Sequence, residues 1–248
     1  HGGLVFGVVW SPDGSRIASS SWDTTIQLWN PDTGTRLQIL RTADDSLTFF
    51  CGTAWSPDGQ RLASATYLNL QGVLLWDMIT GSPIWRNLGY PIRRVAWSPD
   101  GRQLAGGGDN GDVYLWDASD GTLIQRLMGH QGAIKSVAWS PDGTLLASGG
   151  SGIEGGALLV WDVQRGERVQ TLVGHPGGVY AVVWDPGGER LLSGGSDGML
   201  RWWDVRSGEC LWVREAHQGT VQSLRRSPDG NQLASCGDDG TIMLWNLH

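Results

Sequence analysis

The chain has 248 residues, 40% of them hydrophobic, enough for the core of one large domain or two ordinary ones. Only 17% are charged and no run of about eighteen apolar residues occurs, which speaks against wholesale disorder and against a membrane-spanning helix. The formal net charge is −7, and the basic pairs Arg93-Arg94 and Arg225-Arg226 stand isolated, so neither nucleic acid nor a membrane is an expected partner.

Cys51, Cys210 and Cys236 are odd in number and lack Cys-x-x-Cys spacing. They predict neither a disulfide framework nor a zinc site, and hence a reducing, cytoplasmic setting. No charged-then-apolar leader opens the chain, and its first residue is His1, so it is expected to be a segment of a longer polypeptide. The unusual counts are 38 glycines and 15 tryptophans, with Lys135 the sole lysine.

Self-comparison resolves the chain into six copies of one unit. Ser-Pro-Asp-Gly follows Trp10, Trp55, Trp97 and Trp139; the fifth copy reads Trp184-Asp-Pro-Gly-Gly, and the sixth has Arg226 in place of the tryptophan. These positions lie 45, 42, 42, 45 and 42 residues apart. A second series follows each by 19 to 22 residues: Trp29-Asn30, Trp76-Asp77, Trp116-Asp117, Trp161-Asp162, Trp203-Asp204 and Trp245-Asn246. The units fall at about 1–45, 46–88, 89–129, 130–174, 175–216 and 217–248.

Each unit reads as four short strands. In the fifth these are Gly178–Trp184, Arg190–Gly194, Met199–Asp204 and Cys210–Arg214, joined by turns at Asp185-Pro-Gly-Gly, Ser196-Asp-Gly and Arg206-Ser-Gly. Proline there presets φ, and glycine accepts a positive φ. No helical period is sustained anywhere. Four-stranded antiparallel units at this period predict an all-β fold, a β-propeller of six blades in a single domain over 1–248.

The Gly-His pairs at 129–130 and 174–175, together with the Trp-Asp dipeptides, resemble WD40 repeats over all 248 residues. In three units the resemblance implies a complete structural tetrad: His1, Ser19, Asp23 and Trp29; His175, Ser193, Asp197 and Trp203; His217, Ser235, Asp239 and Trp245. Carboxylate, imidazole, hydroxyl and indole would each satisfy the next in a buried chain of hydrogen bonds. The same residue types form the hydrolase triad. Three identical copies, each with its hydroxyl taken by an indole, point to structure, and no catalytic residue is predicted.

The other units depart from the pattern. The second has Ser46 at the histidine position and keeps Ser64; the third has Gly106 and Asn110 where Ser and Asp belong. The fourth keeps His130, Ser148 and Trp161 but carries Glu154 in a longer loop. These blades are expected to be the softer ones. Three further motif matches lack their context. Gly194-Gly-Ser196-Asp-Gly198 sits in a strand-to-strand turn and not at a nucleophile elbow. Gly106-Gly-Gly108-Asp-Asn-Gly111 has no helix to follow it, and the near phosphate loop from Gly129 to Ser136 has Ile134 where glycine is needed. No cofactor and no metal site are predicted; the last histidine, His248, is terminal.

The turns after the first and third strands keep one length in every unit, so all length variation falls at the opposite end. Two extra residues enlarge the turn Tyr67–Gln71, three enlarge Ser151–Gly156, three precede Trp55, and two are missing before Trp97. Variation on one face of a repeat scaffold marks the binding side. The resemblance implies partner contacts three and five residues after the loop histidine and just before the tetrad aspartate. Those positions hold Leu4, Phe6 and Trp22; Phe49 and Cys51 beside Tyr67 and Leu68; Arg93 and Asp109; Lys135; Tyr180; Gln222 and Asp238. Phe6, Trp22, Phe49 and Tyr67 would form an aromatic patch, with the charges of Arg93, Asp109, Lys135 and Asp238 around it. Eleven of the fifteen tryptophans mark the repeat and are expected to be buried; of the rest, Trp22 alone lies on the variable face.

The sixth unit ends after its third strand. The resemblance implies an outer strand from the opposite terminus, so flanking segments of a longer parent chain, or one further blade, are expected to cover the edge at Ile242–Leu247. The function expected is that of a non-catalytic protein–protein interaction scaffold, the sensor or recognition propeller of a larger bacterial signalling protein, taking a protein or peptide on its variable face. The competing expectation is an enzyme or small-ligand binder at the channel mouth. That would need acidic, basic or imidazole side chains converging there, and none are evident beyond the tetrads.

Overall fold

In a computed structural model the chain is described over residues 1–42, 48–68, 72–152, 156–227 and 229–247, and no helix occurs among these residues. Ser46, Gln71, Glu154, His248 and the side chain of Leu68 lie outside the described set. The fold class is all-β: six antiparallel sheets of the β-propeller type, five four-stranded and the sixth three-stranded.

The first blade is β1 (Val5–Trp10), β2 (Ile17–Ser21), β3 (Ile26–Trp29) and β4 (Arg36–Leu40). The second is β5 (Thr48–Trp55), β6 (Arg61–Leu68), β7 (Gly72–Asp77) and β8 (Pro83–Leu88). The third is β9 (Ile92–Trp97), β10 (Gln103–Gly108), β11 (Asp112–Asp117) and β12 (Leu123–Met128). The fourth is β13 (Ile134–Trp139), β14 (Leu145–Gly150), β15 (Gly156–Asp162) and β16 (Glu167–His175). The fifth is β17 (Val179–Trp184), β18 (Arg190–Gly195), β19 (Met199–Asp204) and β20 (Cys210–Glu215); the sixth is β21 (Val221–Arg226), β22 (Gln232–Gly237) and β23 (Ile242–Asn246). In each blade the strands pair in chain order.

The repeated turns explain the invariant spacing. In Ser11-Pro-Asp-Gly the Ser11 hydroxyl donates to Asp13 at 2.6 Å, the Ser15 N–H donates to the same carboxylate, and Gly14 takes φ 71°. Ser56–Asp58, Ser98–Asp100 and Ser140–Asp142 repeat the bond. These local bonds pull the Asp13 carboxyl down to about 2. At the other turn, the Asp or Asn after the strand-three tryptophan of the first five blades caps the chain: Asn30 accepts from the Asp32 and Thr33 N–H groups, and Asp77 from Ile79 and Thr80. Side-chain caps of this kind close a turn at one length and no other.

Contacts group the chain into two units, His1–Asp109 with Tyr114–Gln125, and Asn110–Val113 with Arg126–His248. In the first, β1 packs on β5 and β5 on β9. The Trp97 indole N–H donates to the Ala54 carbonyl at 3.0 Å, and the Arg61 guanidinium lies 4.9 Å over the Trp97 ring. In the second, β13 packs on β17 and β17 on β21, with Trp184 donating to the Ala138 carbonyl at 2.9 Å. Arg226, which replaces the sixth tryptophan, lies 5.5 Å from the Trp202 ring.

Two expectations are corrected. Eight of the repeat tryptophans are buried, from Trp55 to Trp203, but Trp29 and Trp245 are half-buried and Trp10 is 58% exposed. Within its unit β1 packs on β5 and β5 on β9, and no preceding blade of that unit packs against β1 and Trp10. Tyr67 is not in a turn: β6 runs on to Leu68 and sets Tyr67 opposite Phe49 on β5.

Candidate functional site

One irregularity recurs in every blade. The pairing of the first strand with the second skips a residue, and the residues skipped are Phe6, Cys51, Arg93, Lys135, Tyr180 and Gln222. A bulge of this kind adds one residue to one strand and re-aims its side chain. Five of the six bulged side chains keep contact with solvent. Cys51 does not: it is 6% exposed, its thiol lies 3.7 Å from the Ala65 carbonyl and 3.8 Å from that of Ile92, and burial pushes it up to about 11. The Cys51 position is therefore part of the core and not a surface contact.

In the first unit the bulged and neighbouring side chains form a continuous strip. Phe6, 41% exposed, stacks on Trp22 with ring centroids 4.5 Å apart, and Trp22 meets Phe49 at 5.6 Å. Phe49 faces Tyr67 across the β5–β6 ladder, the Arg93 guanidinium lies 4.4 Å over the Tyr67 ring, and Arg93 Nε is 2.5 Å from Asp109 Oδ1 in an ion pair. All six lie at the strand ends where β1, β5 and β9 begin and β2, β6 and β10 finish. The Trp22 backbone is fixed by its N–H bond to the Leu4 carbonyl at 2.9 Å, while its indole N–H is buried without a hydrogen-bond partner among the described residues. In the second unit Lys135 lies 5.8 Å from the Tyr180 ring, and Gln222 donates to Asp238 at 2.8 Å.

The polar chains have the geometry of connected hydrogen bonds. Trp203 donates to the Ser193 hydroxyl at 2.8 Å, His175 Nε2 is 2.8 Å from that hydroxyl, and His175 Nδ1 is 2.8 Å from Asp197. Arg201 adds a bond to the far oxygen of Asp197 at 2.6 Å. Burial would raise Asp197, but the bonds from His175 and Arg201 outweigh it and hold the carboxyl below its usual range. His1 lies 2.7 Å from Asp23 and 2.6 Å from Ser19, which accepts from Trp29 at 2.7 Å. His217 lies 3.1 Å from Asp239 and 2.8 Å from Ser235, which accepts from Trp245 at 2.9 Å. Ser193 and Ser235 are buried beneath their own indoles, so neither hydroxyl can meet a substrate.

The WD domain, G-beta repeat family matches residues 1–30, 82–117, 121–162, 166–204 and 208–246. The chain belongs to the WD40-repeat family. It is also similar to "Transcription initiation factor TFIID subunit 5" of Caenorhabditis elegans, 30% identical over 138 residues, which is 54% of this chain and 20% of that protein. The chain thus spans about a fifth of that relative.

Within this WD40 chain the remaining blades replace part of the tetrad. In the second, Trp76 donates to Ser64 at 2.8 Å, and Phe50 packs edge-on against Trp76. In the third, Tyr114 stacks on Trp116 at 5.8 Å, Tyr90 meets it edge-on, and the Trp116 indole N–H has no hydrogen-bond partner among the described residues. A Cβ on Gly106 would lie 2.6 Å from the Trp116 ring, so the ring occupies the space a serine would need. In the fourth, Trp161 donates to Ser148 at 2.8 Å and Ser148 lies 2.7 Å from His130 Nε2. Burial, with the nearby Arg168 cation, pushes His130 down to about 4. No group of three or more His, Cys, Asp or Glu able to hold a metal occurs among the described residues, and no helix is long and apolar enough to cross a membrane.

Proposed function

We propose that this WD40 chain is a non-catalytic interaction scaffold that binds a protein or peptide along the strip from Phe6 through Trp22, Phe49 and Tyr67 to Arg93 and Asp109. The observation that carries this reading is the strip itself. The first strands of three successive blades, β1, β5 and β9, each bulge at one end, and aromatic rings from two blades join into one partly exposed surface that closes on a cation–π pair and an ion pair. Clustered aromatic rings beside an arginine are the composition that dominates interface energetics. Lys135, Tyr180 and Asp238 are proposed as secondary contacts on the second unit.

The relative named above is a subunit of a transcription initiation factor by its name, which supports a place within a multi-protein assembly. We extend the proposal to a recognition module of a larger cytoplasmic, bacterial signalling protein, a reading that rests on the resemblance of such arrays to the C-terminal repeats of large signalling ATPases.

The test is a displayed peptide library selected on the wild-type chain, with each selected peptide then titrated against W22A and F49A whose folding is checked by circular dichroism. Loss of one anchor ring should weaken binding by about 2 kcal/mol, or roughly thirtyfold. Peptides that bind wild type, W22A and F49A equally would overturn the reading.

A further inference from the structure

Aromatic rings in both units carry a cation from the chain itself. The Arg16 guanidinium lies 6.0 Å from the Trp55 ring, Arg61 lies 4.9 Å over Trp97 and Arg93 lies 4.4 Å over Tyr67. In the second unit Arg226 lies 5.5 Å over Trp202, and the Lys135 ammonium is 5.8 Å from Tyr180. A cation is drawn to the negative face of a ring within about 6 Å of its centroid.

The rings at the first-blade end of the strip differ. Phe6, Trp22 and Phe49 carry no cation among the described residues, and those residues include every Lys and Arg of the chain. Yet Phe6 is 41% exposed, and Trp22 and Phe49 each keep part of their surface open. The rings are held in place before a ligand arrives: Phe6 stacks on Trp22 at an interplanar angle of 21°, and Phe49 meets Trp22 at 58°.

The next ring along the strip shows how a cation is seated here. The Arg93 guanidinium rests on Tyr67 and pairs with Asp109, so this end of the strip holds its cation already neutralised and does not repel a second one. The chain as a whole carries −7, a field that draws basic partners toward it.

We propose that the partner bound by the strip presents an arginine to Phe6, Trp22 and Phe49, so that a basic peptide segment repeats on these rings what Arg93 does on Tyr67. The inference rests on the strip being the binding surface and adds the chemistry of what binds there. A guanidinium is planar, stacks on aromatic faces and is less strongly hydrated than an ammonium, so arginine is favoured over lysine. An uncharged apolar peptide would fill the same rings by burial alone and gain nothing from charge.

The test follows the indole ¹H–¹⁵N signals of the full chain during titration with acetyl-Gly-Arg-Gly-Arg-Gly-amide and with its citrulline twin, at matched ionic strength. Citrulline puts a neutral urea where each guanidinium stood, at nearly the same size. The arginine peptide should move the Trp22 signal saturably, and the citrulline twin should bind about tenfold more weakly, as for a cation held on a ring. Phe49→Leu, which keeps an apolar side chain and is checked by circular dichroism, should cut that preference to about threefold. Equal affinity for the two peptides at Trp22, or a saturable arginine response confined to indoles outside the strip such as Trp212, would overturn the inference. Library peptides that lose affinity for W22A and F49A yet contain no basic residue would overturn it too, while leaving the strip as the binding surface.

Discussion

The fifth and third blades build the same four-stranded sheet on opposite principles. In the fifth, four polar side chains run from Asp197 through His175 and Ser193 to Trp203, with every donor matched. In the third, Gly106 stands where serine would, and Tyr90, Tyr114 and Trp116 fill the space with ring contacts while the Trp116 N–H has no partner among the described residues. An unmet buried donor costs about 1–3 kcal/mol, and each aromatic pair returns about 0.5–1.5 kcal/mol beyond its burial. The blade therefore does not depend on its tetrad. Turn caps and strand-one bulges, common to both blades, hold the register.

The sharpest way to break this comparison is Ser193→Ala. It strips the acceptor from Trp203 and the donor from His175 at once, and urea unfolding should show a loss of about 2–5 kcal/mol. In the third blade Gly106 leaves no hydroxyl at this position to remove.

The fourth blade sharpens the comparison through pH. His130 is held near 4 when folded against an ordinary 6.5, so the unfolded chain binds the extra proton between these values. Stability should thus be full above about pH 6.5 and fall by about 3 kcal/mol as pH drops toward 4. Unfolding curves across that window should flatten in His130→Asn.

Gly106→Ser, which moves the third blade toward the complete tetrad, should destabilise it by about 1–3 kcal/mol, because the new Cβ meets the Trp116 ring before any hydroxyl can bond. A stabilised Gly106→Ser protein in thermal denaturation would show that the aromatic filling yields easily. The smallest effect is expected from Arg201→Gln, which leaves the Asp197–His175 bond in place. It should cost about 1 kcal/mol by chemical denaturation, as for a partly screened ion pair.

Much of this was legible in the residues. Spaced tryptophans and Ser-Pro-Asp-Gly turns announce the blades because both act locally: a capped turn and a fixed strand length need no distant partner. The tetrad positions could be counted for the same reason, as each member sits at a constant offset from its tryptophan. Phe6, Trp22, Phe49 and Tyr67 could be read from the sequence as positions and as one expected patch, but the contacts between the rings could not, since they depend on the bulge that turns Phe6 onto Trp22 and on β1 packing against β5. Cys51 shows the limit of counting. It shares the bulge position of its neighbours yet faces the core, because Ala65 and Ile92 close around it.

By itself, then, the sequence determined the six units, their turns, their strand order and the residues of each polar chain, all of them set by short-range chemistry that repeats with the period. Only the tertiary structure decided which repeat tryptophans are covered and that Trp116 replaces a hydroxyl with ring packing. Those outcomes depend on which neighbouring strand supplies volume, carbonyl or charge, and no offset along the chain encodes that.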